Sequence, residues 1–174
     1  MTSAAPDHSA APLGHPDSLV QAMIAVTSEL SLPAALQRIV TVATDLVDAR
    51  YGALGVLNRN GTGLSEFITV GVSSEERQAI GTPPEGHGIL GVLIVEPRPL
   101  RLPDLARHPD SYGFPPNHPP MQSFLGVPIT LRDQVFGNLY LTDKRNNGEF
   151  SQEDEDLIVA LAASAAVAIE NARL

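Results

Sequence analysis

The sequence runs to 174 residues, 43% of them hydrophobic, which suits one domain with a real core and a short tail. A formal net charge of −9 with scattered Lys and Arg argues against a nucleic-acid backbone or an anionic membrane surface as partner. The absence of cysteine excludes disulfides, thiolate metal sites, iron–sulfur clusters and thioether-linked chromophores.

Residues 1–15, rich in Ala, Pro and Ser without an apolar period, read as a disordered tail, and residues 16–174 as a single domain. A helical pattern starts at Asp17, with Leu19, Met23, Val26 and Leu30 on one face. A second helix carries Leu36, Ile39, Val40, Ala43 and Val47 behind the candidate cap Ser31, with Pro33 tolerated in its first turn. Strands 50–58 and 64–71 flank the turn "RNGTG" as a hairpin, and 73–81 reads as a short helix ended by Gly81. A buried helix is expected around 88–95 and an extended stretch at 98–102. Residues 103–121 then form a long irregular connection; a loop of that length inside a domain usually has a function or is disordered.

Strands at 122–130 and 134–144, joined by "LRD", precede a helix over 151–174. Ser151 and Asp154 open that helix as a capping-box-like pair, and its apolar stripe reaches the last residue, as expected of a fragment whose helix continues onward. The longest apolar run, Leu157 to Ile169, is too short for a membrane span and is broken by Ser164. No leader-like basic-then-apolar pattern opens the chain. A cytoplasmic location is therefore expected. Taken together, the elements predict an α+β domain: one antiparallel sheet, the terminal helices on one face, and a ligand pocket under the long connection on the other.

Two residues attract attention. "GFPPNHPPM" (113–121) sets His118 between two proline pairs, which stiffen the backbone on either side. The imidazole is either an incidental loop histidine or an axial ligand on a rigid mount, since imidazole is a usual haem ligand. Phe114, Met121 and Phe124 provide an apolar setting that suits a porphyrin wall or any core edge. In strand 134–144 the set Phe136, Asn138, Tyr140 and Thr142 alternates with the apolar Val135, Gly137, Leu139 and Leu141. The mixed set is expected to line the pocket. There the Tyr140 phenol could donate to a small ligand, or bond to a backbone carbonyl as many strand tyrosines do. His108 and His118 have no carboxylate cluster at zinc spacing. No phosphate loop, nucleophile elbow or H-E-x-x-H pattern is present, so no catalytic constellation is expected.

The runs "VDARYGALGVLN" and "PLRLPDLARHPDSYGFPPNHPPMQSFLGVPITLRDQVFGNLYLTDKRNNGEFSQEDEDLIVALAASAAVAIENARL" resemble a GAF domain. More narrowly, the sequence is similar over residues 30–174 to the first GAF domain of actinobacterial DevS/DosT-type sensor histidine kinases. That resemblance implies a b-type haem sensing O2, CO, NO or redox state, with His118 in "HPPM" as proximal iron ligand and Tyr140 in "LYLTDK" as distal donor. It also implies a homodimer through the terminal helices and kinase domains further along the polypeptide. Gly55, in the first strand, is expected to leave a passage for gas to the haem edge. Asp143, Lys144, Phe150, Asp154 and Glu155 resemble the N-K-F-D-E motif of cyclic-nucleotide GAF domains, with Asp143 for Asn; a clasp between sheet and helix is expected of them. The alternatives are a haem-free GAF module for dimerisation or another small ligand, then a cyclic-nucleotide sensor.

Overall fold

The computed structural model describes residues 18–20, 31–61, 63–75, 93, 96–107 and 121–173. The tail 1–15, most of the first expected helix, Gly81, His87, His108, Phe114 and His118 lie outside the described residues. So do the greater parts of the expected helices at 73–81 and 88–95.

Helix α1 (Leu32–Leu46) begins where the sequence places it: the Ser31 hydroxyl accepts from the Ala34 N–H at 3.3 Å, and Pro33 falls in the first turn. Five strands follow: β1 (Ala49–Leu57), β2 (Leu64–Val70), β3 (Leu100–Leu102), β4 (Phe124–Leu131) and β5 (Gln134–Lys144). Helix α2 (Gln152–Arg173) ends the described chain. The strands form one sheet of order β2-β1-β5-β4-β3, and every neighbouring pair is antiparallel. β5 and β1 are thus central. The β4–β5 hairpin turns through Arg132 and Asp133, both at positive φ (51° and 64°), the twist-matched geometry of a two-residue hairpin loop.

Both helices lie on one face of the sheet, as the sequence predicts. Leu36, Ile39 and Val40 of α1 and Ile158, Leu161 and Ile169 of α2 are fully buried against Leu54, Val127, Leu139 and Leu141. A smaller cluster occupies the second face. Leu93, Phe124 and Tyr140 are buried there, with Ala53, Phe67, Leu100, Leu102 and Leu105 packed against them. Leu105, in the described part of the long connection, therefore meets the second face.

One side chain departs from strict alternation. β4 pairs Ile129 with Gly137 but Thr130 with Val135, which leaves Phe136 as an extra residue in β5. A bulge of this kind re-aims side chains. Phe136 joins the helix-side core and lies under the Arg173 guanidinium, 5.6 Å from its ring centroid. It does not line the second face, contrary to the period-2 expectation. β4 also begins at Phe124 rather than at 122, because Gln122 and Ser123 are occupied in bonds to the end of β5.

The expected clasp is present. Lys144 pairs with Asp154, while Asp154 also accepts from the Ser151 N–H (2.9 Å) and the Ser151 hydroxyl accepts from the Asp154 N–H (3.1 Å). Lys144 also sits 5.8 Å from the Phe150 ring centroid. Asp143 is not part of that group and bonds the Gln122 N–H instead, and neither is Glu155. Glu155 pairs with Arg101 of β3 at 3.1 Å, since one helical residue on from Asp154 points about 100° away around the axis.

Candidate functional site

The second face of the sheet is built from alternate residues of each strand. On β5 these are Asn138, Tyr140 and Thr142. Opposite them on β1 stand Gly55, Ala53 and Tyr51, and on β4 Pro128, Gly126 and Phe124. Small residues or a proline therefore flank Asn138 and Tyr140 on both sides. Pro128 is accommodated because β3 ends opposite Gly126, where β4 becomes an edge that needs no further ladder donor.

Tyr140 is 5% exposed, and its ring lies 6.2 Å from that of Phe124, tilted by 35°. Gly126 makes this packing possible. A Cβ there would stand 2.4 Å from Leu93 Cδ1 and 2.8 Å from the Phe124 ring. Burial pushes the Tyr140 phenol well above the ordinary tyrosine range, because the phenolate would lose its hydration; the nearby Asn138 amide offsets this a little. That attraction does not reach hydrogen-bond geometry. Asn138 is fully buried, and neither its Nδ2 nor its Oδ1 has a partner among the described residues.

Gly55 lies opposite Asn138 on one side and Phe67 on the other. The space its side chain would fill is bordered by the Leu64 methyls (3.1 and 3.5 Å) and the Phe67 ring (3.6 Å). Met121 is partly buried, and its Sδ accepts from the Thr142 hydroxyl at 3.2 Å. It is the first residue of a pinned segment. The Gln122 N–H donates to Asp143 Oδ1 (2.6 Å), the Asp143 N–H to the Ser123 carbonyl (2.9 Å) and the Lys144 N–H to the Ser123 hydroxyl (2.8 Å). Asp143 adopts φ +56° in making these bonds. The Leu105 N–H donates to the Gln122 carbonyl at 2.7 Å, so the residues bordering 108–120 on either side are tied to each other.

Of the site residues expected from sequence, Tyr140, Phe124, Gly55 and Met121 gather on or beside this face. His118 and Phe114 fall outside the described residues. Asn138 was visible only as a member of the mixed set; burial without a partner is a property of the packing around it, which no sequence period reveals. Among the described residues no cluster of three His, Asp or Glu side chains could hold a metal ion, and no helix is long and apolar enough to cross a membrane.

An antiparallel sheet with both helices on one face and a small, partly polar cluster on the other defines an α+β domain. The sequence matches the GAF domain family over residues 29–170, and the chain belongs to that family. Solved structures agree on the fold. The GAF domain of a phosphoenolpyruvate-protein phosphotransferase from Coxiella burnetii is similar with a TM-score of 0.79 at 24% identity, over 90% of this chain and 93% of that one. The free methionine-R-sulfoxide reductase of Neisseria meningitidis, solved with its substrate, gives 0.74 at 19% identity over 97% of each chain. The GAF domain of the cyanobacteriochrome TePixJ gives 0.63 at 15% identity, over 85% of this chain and 94% of that one. GAF domains are sensory and regulatory modules found in histidine kinases and other proteins.

Proposed function

We propose that this GAF domain holds one haem b on the second face of its sheet and senses a diatomic gas or redox state for a two-component histidine kinase. The observation that carries the reading is the Tyr140–Asn138 pair: a neutral buried phenol and an unpartnered amide on an otherwise apolar floor. These residues fit the group. Phe124, Phe67, Leu93 and Leu102 supply apolar surface around the polar atoms of Asn138 and Tyr140. When bound, haem supplies an iron with a position open to a gas and a reversible one-electron couple.

The chain's own residues supply the rest. His118 would offer its imidazole lone pair to the iron. The 121–123 segment that follows it in sequence is pinned by the bonds of Asp143 and Ser123. Tyr140, kept protonated by burial, is a donor toward the ligand. The absence of a side chain at Gly55 would ease movement of a gas past Leu64 and Phe67. Phe114 would add apolar surface to a haem. The exposed Val159 and Val167 of α2 pair with a second copy, so the signal leaves through the terminal helix.

Protein purified with haem supplied is expected to show a Soret band that His118→Ala abolishes. Tyr140→Phe is expected to keep the band and alter the O2 off-rate. Colourless protein that stays colourless on haem titration would leave a haem-free GAF module in place of this reading.

A further inference from the structure

Asn138 presents an unusual combination. It lies at full burial in the middle of a central strand, yet its carboxamide has no hydrogen-bond partner among the described residues. Buried polar atoms are nearly always satisfied, and each exception calls for a cause. The neighbouring strands provide no side-chain partner. Across the strands Asn138 faces Gly55, which has no side chain, and Pro128, whose ring has no donor. Along β5 the preceding same-face position is lost to the bulge that sends Phe136 to the helix side. Tyr140, two residues on along the same face, lies close enough for the amide to act on its phenol, but the two do not reach hydrogen-bond geometry. A leucine of similar length would occupy this position without an unsatisfied donor or acceptor.

We propose that Asn138 is a ligand-contacting, specificity-determining residue whose carboxamide makes its hydrogen bonds only when the pocket is filled. The partner is the small ligand itself or a water that the ligand orders, held beside the Tyr140 hydroxyl. A primary amide presents two N–H donors and a carbonyl acceptor. A partner that accepts charge-assisted donation is therefore favoured over one of the same size that does not. On the haem reading, on which the gas arm of this inference rests, Asn138 raises affinity for O2 relative to CO. Once bound to ferrous iron, O2 would carry more negative charge on its outer atom than CO would.

Two readouts on Asn138→Leu and Asn138→Val test this. The first is the thermal midpoint of haem-free protein. Removing an unsatisfied amide leaves it unchanged or raises it. A fall in both variants would show that the amide is bonded in the resting fold, and would overturn the proposal. The second is the pair of equilibrium constants for O2 and CO on haem-loaded protein. Loss of one neutral hydrogen bond is expected to lower the O2:CO affinity ratio roughly two- to tenfold. An unchanged ratio would overturn the role in specificity. Asn138→Ala, which cannot overpack, repeats the gas comparison if the larger side chains distort the sheet. If wild-type protein takes up no haem, the proposed function fails separately, and the haem-free midpoint still decides whether the amide is unsatisfied.

Discussion

Tyr140 titrates in a way that its neighbours make unavoidable. Its phenol is enclosed by Phe124 and the sheet, and burial raises its pKa above the ordinary tyrosine value of 10.0. The fold therefore favours the protonated form. This contribution to stability is complete below about pH 10 and is lost as pH rises through the folded-state value. An ultraviolet tyrosinate titration of the folded domain should be the same for wild type and Tyr140→Phe, with the extra wild-type phenolate appearing only as the domain unfolds. A wild-type excess within the ordinary tyrosine step would contradict the burial argument. Gly137 makes a second residue-scale case. A Cβ there would lie 2.0 Å from the Gly55 carbonyl oxygen and 3.1 Å from Val56 Cα. Backbone cannot retreat as a flexible side chain can, so Gly137→Ala should cost about 3 kcal/mol in urea denaturation. Gly63, whose Cβ would meet nothing closer than 3.7 Å, serves as the control, with an alanine effect under about 1 kcal/mol.

Among the elements, α2 depends most on its first turn. Ser151 and Asp154 bond reciprocally, and the same carboxylate pairs with half-buried Lys144 from the end of β5. Ser151→Ala should therefore cost about 1 kcal/mol, the usual loss of an N-cap. Asp154→Ala removes both the acceptor for Ser151 and the partner of Lys144, and should cost about 2–3 kcal/mol. Equal Tm shifts for the two would show that the Lys144 pair contributes nothing. This element was legible in sequence because capping is local: three residues of spacing define it. The strands were legible for the same reason, through alternation and turn residues. Phe136 was not. Its face depends on how Thr130 of the partner strand pairs, and pairing register is a relation between two segments that neither encodes alone. Asn138 was half legible, since alternation placed it on the second face. The lack of a partner follows from Gly55 and Pro128, which only the sheet brings beside it.

At the scale of the whole molecule the sheet is a partition. Its helix side holds the larger core, with Leu36, Ile39, Leu139, Leu141, Ile158 and Leu161 at or near zero exposure, while the second face buries a small cluster around Tyr140. Burial is concentrated on one side, and the proposed ligand chemistry lies on the other. Adjacent residues of β5 therefore separate the two properties. Leu139 points into the helix-side core, and Leu139→Ala should cost about 2–5 kcal/mol through lost burial and the cavity left behind. Tyr140 points the other way, and Tyr140→Phe keeps the ring contact with Phe124 while removing only the hydroxyl. Its urea midpoint should move by less than about 1 kcal/mol equivalent, while the haem-loaded protein changes its O2 off-rate. The two measurements on the two variants form a cross: Leu139→Ala lowers the midpoint and, where the domain stays folded, leaves the off-rate near wild type. A Tyr140→Phe variant that loses as much stability as Leu139→Ala would mean that the phenol supports the fold, and the division of labour between the faces would be wrong.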